Sequence, residues 1–159
     1  MKVNYMNEQK YNEIINQAVS AMKKGNFENA IDELDKAIML NPKGDVAFNF
    51  RGMAYDQLGQ FNQSIIDYSK AIKLNSKENT YYLQRGLCYI ELDQYDKSIK
   101  DFTKAIKLNP NNHLAYMGRG TSYSVLNQKD KARKDLEKVI SLKPNDITFS
   151  DAKNLLSNM

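Results

Sequence analysis

Residues 79–112 read NTYYLQRGLCYIELDQYDKSIKDFTKAIKLNPNN, and this stretch decides the fold. Tyr82, Gly86 and Tyr89 follow one another at offsets of four and three, so a helix places them on one face. After the polar break Asp93-Gln94, the residues Ile99, Phe102, Ala105 and Ile106 make a second apolar face at helical spacing. Asn109-Pro110 then ends the second helix, because the residue before proline is pushed out of the α region and proline has no N–H to donate. Two short helices with one oily face each have to cover one another. Gly86, Ser98 and Ala105 are expected where the two backbones approach most closely, with Tyr82, Tyr89 and Phe102 filling the space around them.

A shift of 34 residues carries this stretch onto its neighbours. Ala37, Ala71, Ala105 and Val139 fall in register, as do Ile38, Ile72, Ile106 and Ile140, and Leu40, Leu74, Leu108 and Leu142. Gly52, Gly86 and Gly120 repeat with Tyr55, Tyr89 and Tyr123 three places on. Pro42, Pro110 and Pro144 close three units and Ser76 closes the other. The units are 11–44, 45–78, 79–112 and 113–146, each broken in the middle at Gly25-Asn26, Gly59-Gln60, Asp93-Gln94 or Asn127-Gln128. The two helices of each unit are called A and B.

The pattern large-x-x-large-Gly-x-x-Tyr, then small, aromatic, Ala and Pro, resembles the tetratricopeptide repeat signature over nearly the whole chain. It is fullest in Phe48, Gly52, Tyr55, Ser64, Tyr68 and Ala71, and in Tyr82, Gly86, Tyr89, Ser98, Phe102, Ala105 and Pro110. The first unit departs from it with Ile14, Ala18 and Ala21, while Gly25-Asn26-Phe27, Ala30, Ala37 and Pro42 agree. The fourth keeps Tyr116, Gly120, Tyr123, Ala132 and Pro144 but has Leu136 and Val139 for the aromatic and the alanine, so its helix pair is expected to sit slightly differently. The resemblance implies an all-α fold, a right-handed α-solenoid of four helix-turn-helix repeats. Residues 1–10 are expected to form a partly helical extension, loose from Met1 to Met6, with the first helix starting near Asn7 and Glu8. Residues 147–159 carry the stripe Phe149, Ala152, Leu155, Leu156 and Met159, with Ser150 or Asp151 as cap. A solenoid has raw ends, so this stripe reads as a C-terminal capping helix, the other reading being a free docking motif.

Composition limits what else the chain can be. Its 159 residues are 42% apolar and 26% charged, as in ordinary globular domains. Cys88 stands alone, and no Cys or His pair has metal-ligand spacing, so a reducing, cytoplasmic setting is expected and no cofactor or metal. No window approaches the roughly 20 apolar residues of a membrane span, so no membrane partner is expected. Met1 to Glu78 holds ten basic and ten acidic residues and the remainder thirteen and nine, which places the net charge of +4 late in the chain. Lys97, Lys100, Lys104 and Lys107 alternate with Asp96 and Asp101, which reads as a solvated face and not as a nucleic-acid site. Catalysis has little support: His113 starts a helix, Cys88 lies among packing positions, and Gly118-Arg119-Gly120 falls inside a helix with no strand before it.

Function is expected on whatever surface packing leaves over. Helix A carries such a surplus at Val46, Asn49, Phe50 and Met53, at Leu83, Leu87 and Ile90, at Leu114 and Met117, and in the first unit at Ile15, Val19 and Met22. The resemblance implies that these positions line an inner, concave wall where ligands lie. The expected partner is a protein or peptide with an apolar segment, bound as a helix or an extended chain. Relatives that hold the C-terminal carboxylate of a heat-shock chaperone do so with lysine, asparagine and arginine on helices A. The equivalent places here hold Ile15, Val19, Phe50, Thr80 and Gln84, or Asn49, Met53, Gln84, Leu114 and Gly118, so no carboxylate clamp is expected. Self-assembly into a homo-oligomer and a small-chaperone role stay open beside the scaffold reading, with the free chain a monomer or weak homodimer. Arg51, Arg85 and Arg119 recur with Glu33, Asp67, Asp101 and Asp135, either as a structural ion-pair ladder or as a site for an anionic ligand.

Overall fold

The computed structural model describes residues 2–143 and 147–158, with side chains from residue 7 onward. Pro144, Asp146 and Met159, which figured in the expected end of the last repeat and in the terminal stripe, lie outside the described residues, as do the side chains of Met1 to Met6. Among the described residues there are nine helices and no strand. In order they are α1 (Lys2–Lys23), α2 (Phe27–Leu40), α3 (Asp45–Gln57), α4 (Phe61–Leu74), α5 (Asn79–Glu91), α6 (Tyr95–Leu108), α7 (His113–Val125), α8 (Lys129–Leu142) and α9 (Ile147–Ser157). The helical backbone thus begins ahead of Asn7, and α9 begins ahead of Ser150 and Asp151, which fall inside it and do not cap it. The chain forms two compact units, Met1–Ser76 and Lys77–Met159.

The turn inside each helix pair follows from one backbone device. Gly25, Gly59, Asp93 and Asn127 adopt φ of 75°, 70°, 55° and 56°. This left-handed residue lets the next N–H fold back onto the carbonyl five residues earlier: Asn26 to Ala21, Gln60 to Tyr55, Gln94 to Tyr89 and Gln128 to Tyr123. Glycine occupies two of the four sites, and Asp and Asn, the side chains that best tolerate the conformation, occupy the others.

Within the second unit α5 packs on α6 and α7, α7 on α6 and α8, and α9 on α7 and α8. Phe102 of α6 is fully buried, and its ring fills the space that a side chain would take at both Gly86 of α5 and Gly118 of α7. A Cβ at Gly86 would stand 2.8 Å from the ring, and one at Gly118 would stand 2.5 Å from it. The glycine therefore admits an aromatic ring between helices, where the sequence suggested a meeting of two backbones. The serines link the helices through their side chains. Ser98 Oγ donates to the Tyr95 carbonyl at 2.8 Å and shares a hydrogen bond of 2.8 Å with Ser122 Oγ. In the fourth pair Leu136 lies against Gly120, 3.3 Å from where a Cβ would be, and with Val139 it forms a cluster around Ala152 of α9. Leu155 and Leu156 cover that cluster, and α9 seals this end of the unit.

Within the first unit α1 packs on α2 and α3, and α3 on α2 and α4. Tyr68 meets Gly52 as Phe102 meets Gly86, at 2.9 Å from a Cβ there, and Ser64 Oγ donates to the Gly52 carbonyl at 2.6 Å. Ala18 and Leu34 are fully buried at the corresponding places of the first pair. The N-cap of α3 is Gly44, which has no side chain to cap the helix. The Tyr11 hydroxyl of α1 does so instead, accepting from the Ala47 N–H at 3.2 Å and occupying the space where a Cβ of Gly44 would sit. By contrast Glu78 and Asn112 cap α5 and α7 from their own N-cap positions, accepting from Thr80 and Ala115 N–H at 3.1 Å.

Removing that phenol isolates its contribution. Tyr11→Phe keeps the ring and loses the cap, which costs about 1 kcal/mol and lowers Tm by about 2–4 °C in a thermal melt followed by circular dichroism. Burial raises the Tyr11 pKa above its ordinary 10.0. A raised tyrosine favours the neutral, folded form, so this stability is complete below pH 10 and is lost as pH rises through the folded value. The phenylalanine variant has a correspondingly shallower alkaline decline in urea midpoint.

Candidate functional site

The arginine series resolves into a chain of closed clamps. Arg51 donates through Nε and Nη2 to both carboxylate oxygens of Asp67, each at 2.7 Å. Arg85 grips Asp101 in the same way at 2.7 and 2.8 Å, and Arg119 grips Asp135 at 2.7 and 2.8 Å. The third arm reaches back to the preceding B helix, Arg51 Nη1 to Asp35 and Arg119 Nη1 to Thr103 Oγ1 at 3.0 Å. Asp67, Asp101 and Asp135 are buried, whereas Glu33, in register with them, takes Lys36 as partner at 2.8 Å. The hydrogen bond to Asp67 holds the Arg51 guanidinium above its ordinary pKa, and that to Asp135 does the same for Arg119. At Arg85 burial pulls downward most strongly of any one cause, but the bond and charge of Asp101 outweigh it. With these forks filled by carboxylates of this chain, the three arginines present no open fork to an anionic ligand. Through the third arm Arg51 and Arg119 also fasten one helix pair to its neighbour.

The candidate wall splits into three groups. Val46, Leu87 and Leu114 are open, with Leu87 and Leu114 at 40% and 41% exposure on the adjoining helices α5 and α7. Val19, Met22, Asn49, Phe50, Met53 and Ile90 are half-buried, and of these Val19, Met22 and Phe50 lean on the core of the first unit. The third group corrects the sequence reading. Ile15 belongs to that core at 8% exposure, and Leu83 is buried at 7%, so neither side chain presents a surface. Met117 packs against the Leu136, Val139 and Ala152 cluster, so the terminal helix takes up part of its surface. Helical spacing marks all of these as surplus apolar positions, but it carries no information on which neighbour arrives to cover them.

Asn49 is the polar member of the wall. Its Nδ2 donates only to Met53 Sδ, at 3.7 Å, and its buried Oδ1 has no hydrogen-bond partner among the described residues. A buried acceptor left unmade costs about 1–3 kcal/mol. Of the residues weighed for chemistry, Cys88 is buried at 1% exposure, His113 is the first residue of α7, and Gly118 and Gly120 lie inside that helix against Phe102 and Leu136. Each therefore has a packing or positional role on view.

Tetratricopeptide repeat models match residues 14–43, 46–78, 80–112 and 102–134. The chain belongs to the tetratricopeptide repeat family, and its architecture is the all-α solenoid fold of that family. No curated protein matches it by sequence. Among solved structures it resembles MamA with a TM-score of 0.82 and 25% identity, over 89% of this chain and 83% of that one. The tetratricopeptide domain of Arabidopsis OM64 matches at 30% identity with a TM-score of 0.68, over 72% of this chain and 94% of that one. The first such domain of Spaghetti (RPAP3), bound to the HSP90 peptide SRMEEVD, matches at 25% identity and a TM-score of 0.67, over 72% and 88%.

The clamps can be tested against replacement. Arg119→Ala strands Asp135 in a buried site and is expected to cost about 3–5 kcal/mol in urea unfolding, while the pair Arg119→Met with Asp135→Leu restores most of it.

Proposed function

We propose that this chain is a non-catalytic protein-interaction scaffold whose A-helix walls hold an apolar helix or an extended apolar peptide of a partner protein. The single observation that carries this reading is that Leu87 and Leu114, large apolar side chains on the adjoining helices α5 and α7, stay exposed after the unit has closed its own core. Burying one such side chain stabilises a complex by roughly 1.5–3 kcal/mol before ordering costs are counted. In the first unit Val46, Phe50 and Met53 offer a second apolar wall on α3, and the thioether of Met53 adapts to irregular ligand surfaces.

Asn49 supplies direction. A backbone N–H of an incoming peptide that reaches its buried Oδ1 satisfies it, so binding removes a cost that the free protein bears. The clamp of lysine, asparagine and arginine expected for a chaperone tail has no counterpart at Ile15, Val19, Phe50, Thr80 and Gln84. A free terminal carboxylate is therefore not the recognised group. A cytoplasmic setting accords with Cys88 being a thiol and not part of a disulfide.

A peptide-display selection on the folded chain tests the reading, with affinities measured by fluorescence polarisation. Leu87→Glu with Leu114→Glu alters two exposed positions, so Tm is expected to hold while selected apolar peptides lose on the order of tenfold or more in affinity. Peptides that bind the double variant as tightly as the parent would sink the proposal. Asn49→Leu is expected to leave the free protein as stable or more so and to weaken binding, a combination that a purely structural asparagine would not produce.

A further inference from the structure

The B helices of the second unit, α6 and α8, carry an excess of positive charge that the fold does not need. Lys97, Lys100 and Lys104 of α6 are in 34-residue register with Lys131, Lys134 and Lys138 of α8, and Lys107 extends the first row. Offsets of three and four keep each row on one side of its helix, and at 1.5 Å rise per residue the α6 row is about 15 Å long. All seven side chains are exposed or half-exposed. The same places in the first unit hold Gln63, Ile66, Lys70 and Lys73 on α4, and Asn29, Asp32, Lys36 and Met39 on α2. Helix pairs form equally well without the lysines, so packing does not account for them.

The carboxylates on these helices do not cancel the charge. Asp101 and Asp135 point inward into the grip of Arg85 and Arg119, leaving Asp96, Asp130 and Glu137 exposed against the seven lysines and the exposed Arg133. Among the described residues Lys100, Lys107, Lys134 and Lys138 bond to no carboxylate. Lys97, Lys104 and Lys131 lie over the rings of Tyr89, Tyr82 and Tyr123 at 5.5, 5.9 and 5.3 Å, with their stems packed along the aromatic faces.

We propose that this lysine face of α6 and α8 binds the headgroups of an anionic lipid surface. The two rows stand at matching places of successive helix pairs. A nucleic-acid strand asks for different parts, namely aromatic rings free to stack on bases and arginine forks that grip phosphate. Here the neighbouring tyrosine faces are occupied by cations and one arginine stands among the lysines. A second copy of the chain does not fit either. The most acidic helix, α2, has Glu33 tied to Lys36 and Asp35 tied to Arg51, which leaves Glu28 and Asp32 to meet seven lysines. Lipid headgroups need only point charges on flexible stems, and clusters of about four to eight basic residues are the usual size of such sites. Each lysine near the surface contributes about a fivefold gain in affinity, and salt screens it. This face is separate from the apolar walls, and its assignment does not depend on theirs.

Sedimentation of the full chain with vesicles tests it. Vesicles of equal parts phosphatidylserine and phosphatidylcholine are expected to pull the chain down at low salt and release it at high salt, and pure phosphatidylcholine is expected to leave it in solution. Lys100→Glu with Lys134→Glu changes exposed positions and is expected to lower partitioning on the order of a hundredfold without moving the thermal melt. Lys70→Glu with Lys73→Glu, the same charge change on α4, is expected to lower it by no more than a few-fold. Three results would overturn the proposal: no binding to the anionic vesicles, equal loss in both double variants, or a DNA duplex that binds more tightly than the vesicles at matched phosphate.

Discussion

The second unit is organised by one steric fit, a phenylalanine ring held where two glycines leave room for it. Phe102 comes from α6 and presses into α5 at Gly86 and into α7 at Gly118, so a single side chain sets the spacing of three helices. Interiors pack to the density of organic crystals, and a ring this enclosed tolerates little change in the walls around it. The same logic with a different residue runs through the remaining pairs. Tyr68 sits on Gly52, while Leu136 is the smaller filler opposite Gly120 and Leu34 is buried in a pair that has Ala18 in place of the glycine.

Upon this fit rests an electrostatic fastening that acts between pairs. Arg51 and Arg119 each hold an aspartate of their own pair and a polar side chain of the preceding one. The arrangement removes Asp67, Asp101 and Asp135 from the surface, and that removal is also what leaves the lysines of α6 and α8 without balancing charge. A structural device thereby shapes the outer electrostatics of the second unit.

Much of the fold was legible because its determinants are local and repeated. The 34-residue register, the breaks at Gly25, Gly59, Asp93 and Asn127, and the terminal stripe each follow from residue type and spacing. The helix pairing follows from the same signals. What could not be read depends on where a neighbour ends up. Ile15, Leu83 and Met117 are apolar surplus positions of helix A just as Val46, Leu87 and Leu114 are, yet Ile15 and Leu83 are buried and Met117 is partly covered while the other three stay exposed. The Tyr11 hydroxyl on the Ala47 N–H joins residues 36 apart, beyond any local pattern. The one available hint was Gly44 standing where a capping side chain is usual. The arginine clamps were visible as a recurrence, but their third arm and the exclusion of Glu33 required coordinates.

The contact of Tyr11 with the start of α3 makes the end of one helix depend on another. The cap of α3 comes from α1 and not from its own N-cap residue, so any motion that lifts α1 away also strips the Ala47 N–H of its acceptor and frays the first turn of α3.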